Sequence, residues 1–398
     1  VLAANRWFVL CVAISAQIAS ICALFGVPFV IPELRAAYGL TVAQAGTLAG
    51  MPSLGLLLTL LAWGVAIDRY GERVTMTLSL LLTAGVLALL AAVDSPVGVG
   101  VLLALVGAAS GPVNAASGRL VLGWFAAHER GLAMGIRQAA QPLGMALAAA
   151  LLPLLAERYG FVTAMLLPAG LSLATAPLAA LFATGARQAR APRADPGGEG
   201  ATGSPYLRST IWRVHGTSML LGVPQSALMT YALVYLVDEH GWRAATAGVF
   251  ISLVQLPGAL VRLGAGAWSD RIGNRLGPVR IIAAATGAAL LLLAGAAWTS
   301  SAAGVVLLAL CLLLSMSHNG LTFTAVAETA GLAWAGRAMA VQNSLQSVAA
   351  TLTPLIAGAL IQTWGYAVAF AGTALFCGLA IAVVPPGHPA GGITSARR

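Results

Sequence analysis

The stretch GVAIDRYGER, Gly64 to Arg73, and its echo GAWSDRIGNR, Gly266 to Arg275, decide how this chain is read. Each follows an apolar run long enough to cross a bilayer, and each gives way to another after a few polar residues. Both carry Gly, then Asp-Arg four and five residues on, then Gly, then Arg, 202 residues apart in a chain of 398. One such segment is a tight polar turn between helices. Two, at equivalent places in similar halves, make a duplicated membrane bundle.

Composition outside the turns agrees. The chain is 59% hydrophobic and 8% charged, with a mean hydropathy of +0.89, whereas soluble domains carry about a quarter charged residues. Runs of ~20 apolar residues span a hydrocarbon core of about 30 Å. Twelve are predicted, at 7–31, 42–66, 74–93, 97–122, 131–155, 161–184, 209–237, 244–269, 279–298, 302–327, 337–361 and 366–384. They must be helices, because lipid leaves an open backbone unsatisfied. The first is too long for a secretory core and is expected to be retained. The Gly-, Pro- and Arg-rich 185–208 reads as a cytoplasmic linker between bundles 1–184 and 209–384, and 385–398 as a cytoplasmic tail.

All 21 basic residues are arginines. Fifteen fall on one side of the predicted spans and only Arg35, Arg158 and Arg243 on the other. That excess marks the cytoplasmic face and puts both termini there. The net charge of +9 therefore sits in short loops, with no basic groove for nucleic acid. The four cysteines lie within helices without metal-ligand spacing. A helix-borne catalytic cluster such as His-Glu-x-x-His is lacking, so neither an enzyme nor a metal or cofactor site is expected.

The halves align in register. At an offset of 202, Tyr38-Gly39 meets His240-Gly241 and Ala45-Gly46 meets Ala247-Gly248; at 205, Asn114 meets Asn319, Gln141 meets Gln346, and Tyr159-Gly160-Phe161 meets Trp364-Gly365-Tyr366. Such repeats in an apolar chain point to a transporter. At these residues the sequence resembles the major facilitator superfamily, whose signature between its second and third helices is Gly-x-x-x-Asp-Arg-x-Gly-x-Arg. The matching residues are Gly64, Asp68, Arg69, Gly71 and Arg73, with a second copy at Gly266, Asp270, Arg271, Gly273 and Arg275. The resemblance implies an all-α fold of two six-helix bundles working by alternating access. The two glycines would let helix backbones approach closely. The aspartates would meet a neighbouring helix N-terminus and the arginines bridge the seam, together gating the cytoplasmic side.

Charges inside a bilayer are costly and are candidates for function. Arg119, Arg137 and Arg262 qualify, and no acid occupies a helix centre. Three cations without resident partners call for a visiting anion. Arg262 shares a stripe with Gln255 at i and Gly258 at i+3. The run from Arg262 through Gly266 to Ser269-Asp270-Arg271 resembles the eighth helix of monocarboxylate and oxalate/formate porters, where this arginine binds the carboxylate with its planar fork; the alternative is pairing with backbone carbonyls. Arg137 and Gln141, with their repeat-mates Gln342 and Gln346 and with Asn343, make polar stripes that either line a cavity or bond between helices. Arg119, near an inner boundary, is expected to snorkel. In the tenth span His318 and Asn319 share a face with Ser315 and Thr322; His318 either carries a co-transported proton or is a neutral hydrogen-bonding residue. Gln17 and Gln225 are further lining candidates. The expectation is a monomeric inner-membrane secondary transporter of a small, carboxylate-bearing organic anion. The alternative is a drug or neutral-metabolite exporter of the same fold.

Overall fold

The computed structural model describes residues 5–126, 129–183, 204–331 and 334–385. The expected linker falls almost wholly outside them, as does the tail beyond 385. Among the described residues ten helical stretches are long and apolar enough to cross a membrane. Two are double length, Val42–Ala92 and Gly336–Val383, and each is broken by one non-helical glycine. Gly71 stands at φ 78°, ψ 172° and Gly365 at φ 82°, ψ 175°, a region that essentially only glycine enters. Counting each double stretch as two gives twelve crossings, as the apolar runs predict. In chain order they are α1 (Arg6–Phe25), α2 (42–70), α3 (72–92), α4 (Pro96–Trp124), α5 (Leu132–Tyr159), α6 (Phe161–Phe182), α7 (Ser209–Asp238), α8 (Ala244–Ile272), α9 (Leu276–Trp298), α10 (Ala303–Ala330), α11 (336–364) and α12 (366–383).

Local chemistry sets the helix starts. Thr41 and Gln44 form a reciprocal capping box ahead of α2. Ser95 accepts from the Gly98 N–H with Pro96 at the first position of α4. Asn274 accepts from the Leu276 and Gly277 N–H groups, both at 3.0 Å, opening α9. Three helices are interrupted inside their spans: α4 at Gly111, α5 at Ala139 and α10 at His318. The duplication is written in the backbone as well, since Gly39 and Gly241, Gly71 and Gly273, and Gly160 and Gly365 all have positive φ.

The chain forms two compact units. Unit 1 is Val1–Arg193 with Thr230–Leu256 and Pro354–Gln362, so it takes in parts of α7, α8 and α11 at the end away from the Asp-Arg turns. Small residues make this possible. A Cβ on Gly46 would lie 1.8 Å from the Tyr231 hydroxyl, one on Gly358 2.3 Å from that hydroxyl, and one on Gly248 2.1 Å from the Ala149 carbonyl. Tyr231 donates to the Pro354 carbonyl at 2.5 Å. Unit 2 is Ala194–Met229, Pro257–Thr353 and Thr363–Arg398. In it Arg213 and Arg280 donate to the Val383 and Val384 carbonyls and close the end of α12.

Candidate functional site

In unit 1 the polar residues converge on Arg137, two positions before the break in α5. The residue is only 5% exposed. Its Nη1 donates to Gln17 Oε1 at 2.9 Å, to Asn114 Oδ1 at 3.0 Å, to the Asn114 carbonyl at 3.1 Å and to Ser117 Oγ at 3.1 Å. Its Nη2 donates to Gln138 Oε1 at 3.0 Å. Gln17 Nε2 also reaches Asn114 Oδ1, tying α1 to α4. Gly118 of α4 lies beside the guanidinium, where a Cβ would make an ordinary contact at 3.6 Å. Every one of these acceptors is neutral. Among the described residues no carboxylate comes within ion-pair distance of Arg137. The guanidinium is thus a buried cation whose hydrogen bonds all go to uncharged groups. Gln141, one turn on, is half-buried.

Unit 2 repeats the arrangement without the charge. Gln342 stands at the position of Arg137, buried, with its Oε1 2.8 Å from His215 Nδ1. One turn along, Gln346 donates to Ser218 Oγ at 2.8 Å and to Asn319 Oδ1 at 3.3 Å, and Asn319 donates to Gln225 Oε1 at 3.2 Å. This is an uncharged amide and hydroxyl network across α7, α10 and α11. Asn343 is exposed and Gln255 buried. Arg262 is half-buried, and its Nε donates to the Met316 carbonyl at 3.2 Å, just ahead of the α10 break. His318 sits at that break, 1% exposed, with Nε2 lacking a hydrogen-bond partner among the described residues.

Two of these residues escape the sequence reading. His215 is 1% exposed, as deeply placed as His318, and Ser218 is the partner of Gln346. The signal was there in α7: His215, Ser218, Gly222 and Gln225 follow at i, i+3, i+7 and i+10, one helical stripe.

The Asp-Arg turns differ from their expected contacts. Asp68 pairs with Arg119 of α4, and Arg119 Nε reaches Glu72 Oε1 at 3.0 Å. Arg119 thus has resident anionic partners and is not a lone intramembrane cation. In the second turn Arg275 pairs with Asp270, bonds Ser269 Oγ at 3.2 Å and reaches Glu328 of α10 at 3.1 Å. Arg69 lies over the Tyr70 ring, while Arg73 and Arg271 are exposed. A Cβ on Gly64 or Gly266 would meet nothing within 4 Å. The close backbone approach expected there falls instead between α2 and α4. A Cβ on Gly55 would be 1.7 Å from the Ala104 carbonyl, and one on Gly107 1.7 Å from that of Pro52.

Residues 13–351 match the family model of the Major Facilitator Superfamily. The chain belongs to that superfamily. It is 42% identical over 381 residues to an uncharacterized MFS-type transporter of Mycobacterium tuberculosis strain H37Rv, covering 96% of this chain and 85% of that one. Among solved structures, a bacterial homolog of the human lysosomal transporter Spinster, inward-facing and occupied, aligns with a TM-score of 0.80 at 13% identity over 95% of this chain and 96% of that one. The inward-open xylose transporter XylE from E. coli aligns at 0.78 with 13% identity over 97% and 98%. These likenesses establish the twelve-helix fold. This superfamily member is a multi-pass membrane transporter of a small molecule.

Proposed function

We propose that this transporter moves a small organic anion, one bearing a carboxylate, across the inner membrane by alternating access. The observation that carries the reading is Arg137, a buried guanidinium whose protein partners are all neutral. A carboxylate that reaches it gains charge-assisted bonds with no resident acid to displace. Arg262, one backbone carbonyl already on its Nε, is the second carboxylate-binding residue, in keeping with its resemblance to the porter pattern. Gln17, Gln141 and Gln255, with the amides Gln225, Asn319, Gln342, Asn343 and Gln346, supply neutral contacts, and His318 is the place for a co-transported proton. The bundles 1–184 and 209–384 are the moving parts of a monomer. The two Asp-Arg turns gate the cytoplasmic side, to which the fifteen arginines assign both termini. The packed end of unit 1 is then the outer gate in its closed form, and the inward-facing forms of the similar structures support that reading.

In proteoliposomes, Arg262→Ala is expected to abolish uptake of labelled lactate or formate while expression and melting stay close to wild type. Normal anion uptake by this variant removes the residue from the site. A second reading, export of a drug or neutral metabolite, draws on the uncharged network in unit 2. Transport of a lipophilic cation, with no anion transport, would favour it.

A further inference from the structure

At the end of unit 1 away from the Asp-Arg turns, charged side chains bridge early and late parts of the chain. Arg35, on the short helix Ile31–Tyr38, pairs with Asp238 at 3.3 Å. Glu157, at the end of α5, accepts from Arg243 at 2.8 Å and from the Ala245 N–H at 2.7 Å, at the start of α8. Glu33 belongs to neither pair. Its Oε2 is buried without a hydrogen-bond partner among the described residues. An ionised carboxylate so placed is strongly disfavoured, and a neutral one much less so. The nearby Glu157 is already held as an anion by its two donors, so it offers Glu33 repulsion only.

We propose that Glu33 binds a proton when this seam closes and gives it up to the outer medium when the seam opens. The inference rests on the reading of the seam as the outer gate. Burial pushes the Glu33 carboxyl up from 4.5 to about 7; its own backbone N–H acts against this, and the charge on Glu157 adds to it. The other titratable or charged groups on the elements at this end are Arg35 and Tyr38 on its own helix, Asp94 beyond α3, Arg158 beside Glu157, Tyr231, Tyr235 and Asp238 on α7, and Glu239, His240 and Arg243 between α7 and α8. The neighbouring end of α6 carries none. His240 serves as the control, because its Nε2 is likewise buried without a hydrogen-bond partner among the described residues.

The sign follows from which form holds the proton more tightly. The closed seam does, so acid favours closure, and the advantage is lost as pH rises through about 7. Below 4.5 both forms are protonated and the ratio stops changing. Between those limits the closed-to-open ratio should fall about tenfold per pH unit.

Spin labels at Ala37→Cys and Thr246→Cys, both exposed positions, read the seam directly in nanodiscs in a Cys11→Ser background. The ratio of short- to long-distance populations should fall with that slope from pH 5 to pH 7 and level off by pH 8. Glu33→Gln should hold it at every pH, while Glu33→Asp and His240→Gln keep the slope. A distribution that does not move with pH overturns the proposal. So does a slope that survives Glu33→Gln or vanishes in His240→Gln; should Glu33→Gln not fold, the other three proteins still decide. No substrate enters this measurement, so its failure leaves the anion reading standing, and loss of anion uptake leaves the seam titration standing.

Discussion

At the first Asp-Arg turn α4 supplies a cation, Arg119, to two acids, Asp68 and Glu72. At the second, α10 supplies an anion, Glu328, to a cation of the turn, Arg275, which also holds Asp270. The spacing of the turns is duplicated while the polarity of the helix that meets them is reversed. The same holds deeper in the bundle, where Arg137 in one half faces neutral acceptors and Gln342 in the other faces His215. Duplication has kept the backbone and the placement of polar groups. Charge is the variable, and each half balances it locally or, at Arg137, leaves it open.

The sharpest test of that contrast compares the repeat-mates. Arg137→Ala should lower anion uptake about a hundredfold or more, the ~3 kcal/mol scale of a desolvated charge contact, while Gln342→Ala stays within about tenfold. Equal losses measured in proteoliposomes would mean that the charge is not what the substrate uses. Next come the turn glycines. Gly71 occupies a glycine-only conformation. Gly273 has φ 61° in a helix end where its N–H reaches the Asp270 carbonyl and the Asn274 N–H reaches that of Ser269. Alanine should cost about 2–3 kcal/mol at 71 and about 1 kcal/mol at 273 in chemical unfolding. A reversed order would break the comparison. The smallest effect concerns the ion pairs, which are well exposed. Arg119→Ala should cost about 1 kcal/mol, because it strands Glu72, whose side chain is 17% exposed. Glu328→Ala should cost only a few tenths, since Arg275 keeps Asp270. Double-mutant cycles in low salt would separate the two.

Much of the architecture is legible in the residues, because bilayer length and backbone satisfaction leave few choices for apolar runs. The 205-residue offset marks Asn319 and Gln346 as repeat-mates of Asn114 and Gln141, and only the fold shows that Gln346 donates to Asn319 at 3.3 Å. What escapes is anything set by the approach of distant helices. Nothing local to Arg119 announces Asp68 and Glu72, which lie on the preceding turn. The glycines of the turns attract attention by their pattern, yet the tight crossing belongs to Gly55 and Gly107, whose partners are backbone carbonyls and leave no mark in sequence. Glu33 reads as an ordinary edge acid until the fold covers its Oε2.

The contact of Gly46 with Tyr231 and Pro354 leaves room for a hydrogen and nothing larger. One extra carbon at 46 therefore acts as a wedge, biasing the population toward forms in which Tyr231 has withdrawn. Such a variant would give crystallographers and binder selections a more uniform target, obtained without a ligand or an antibody.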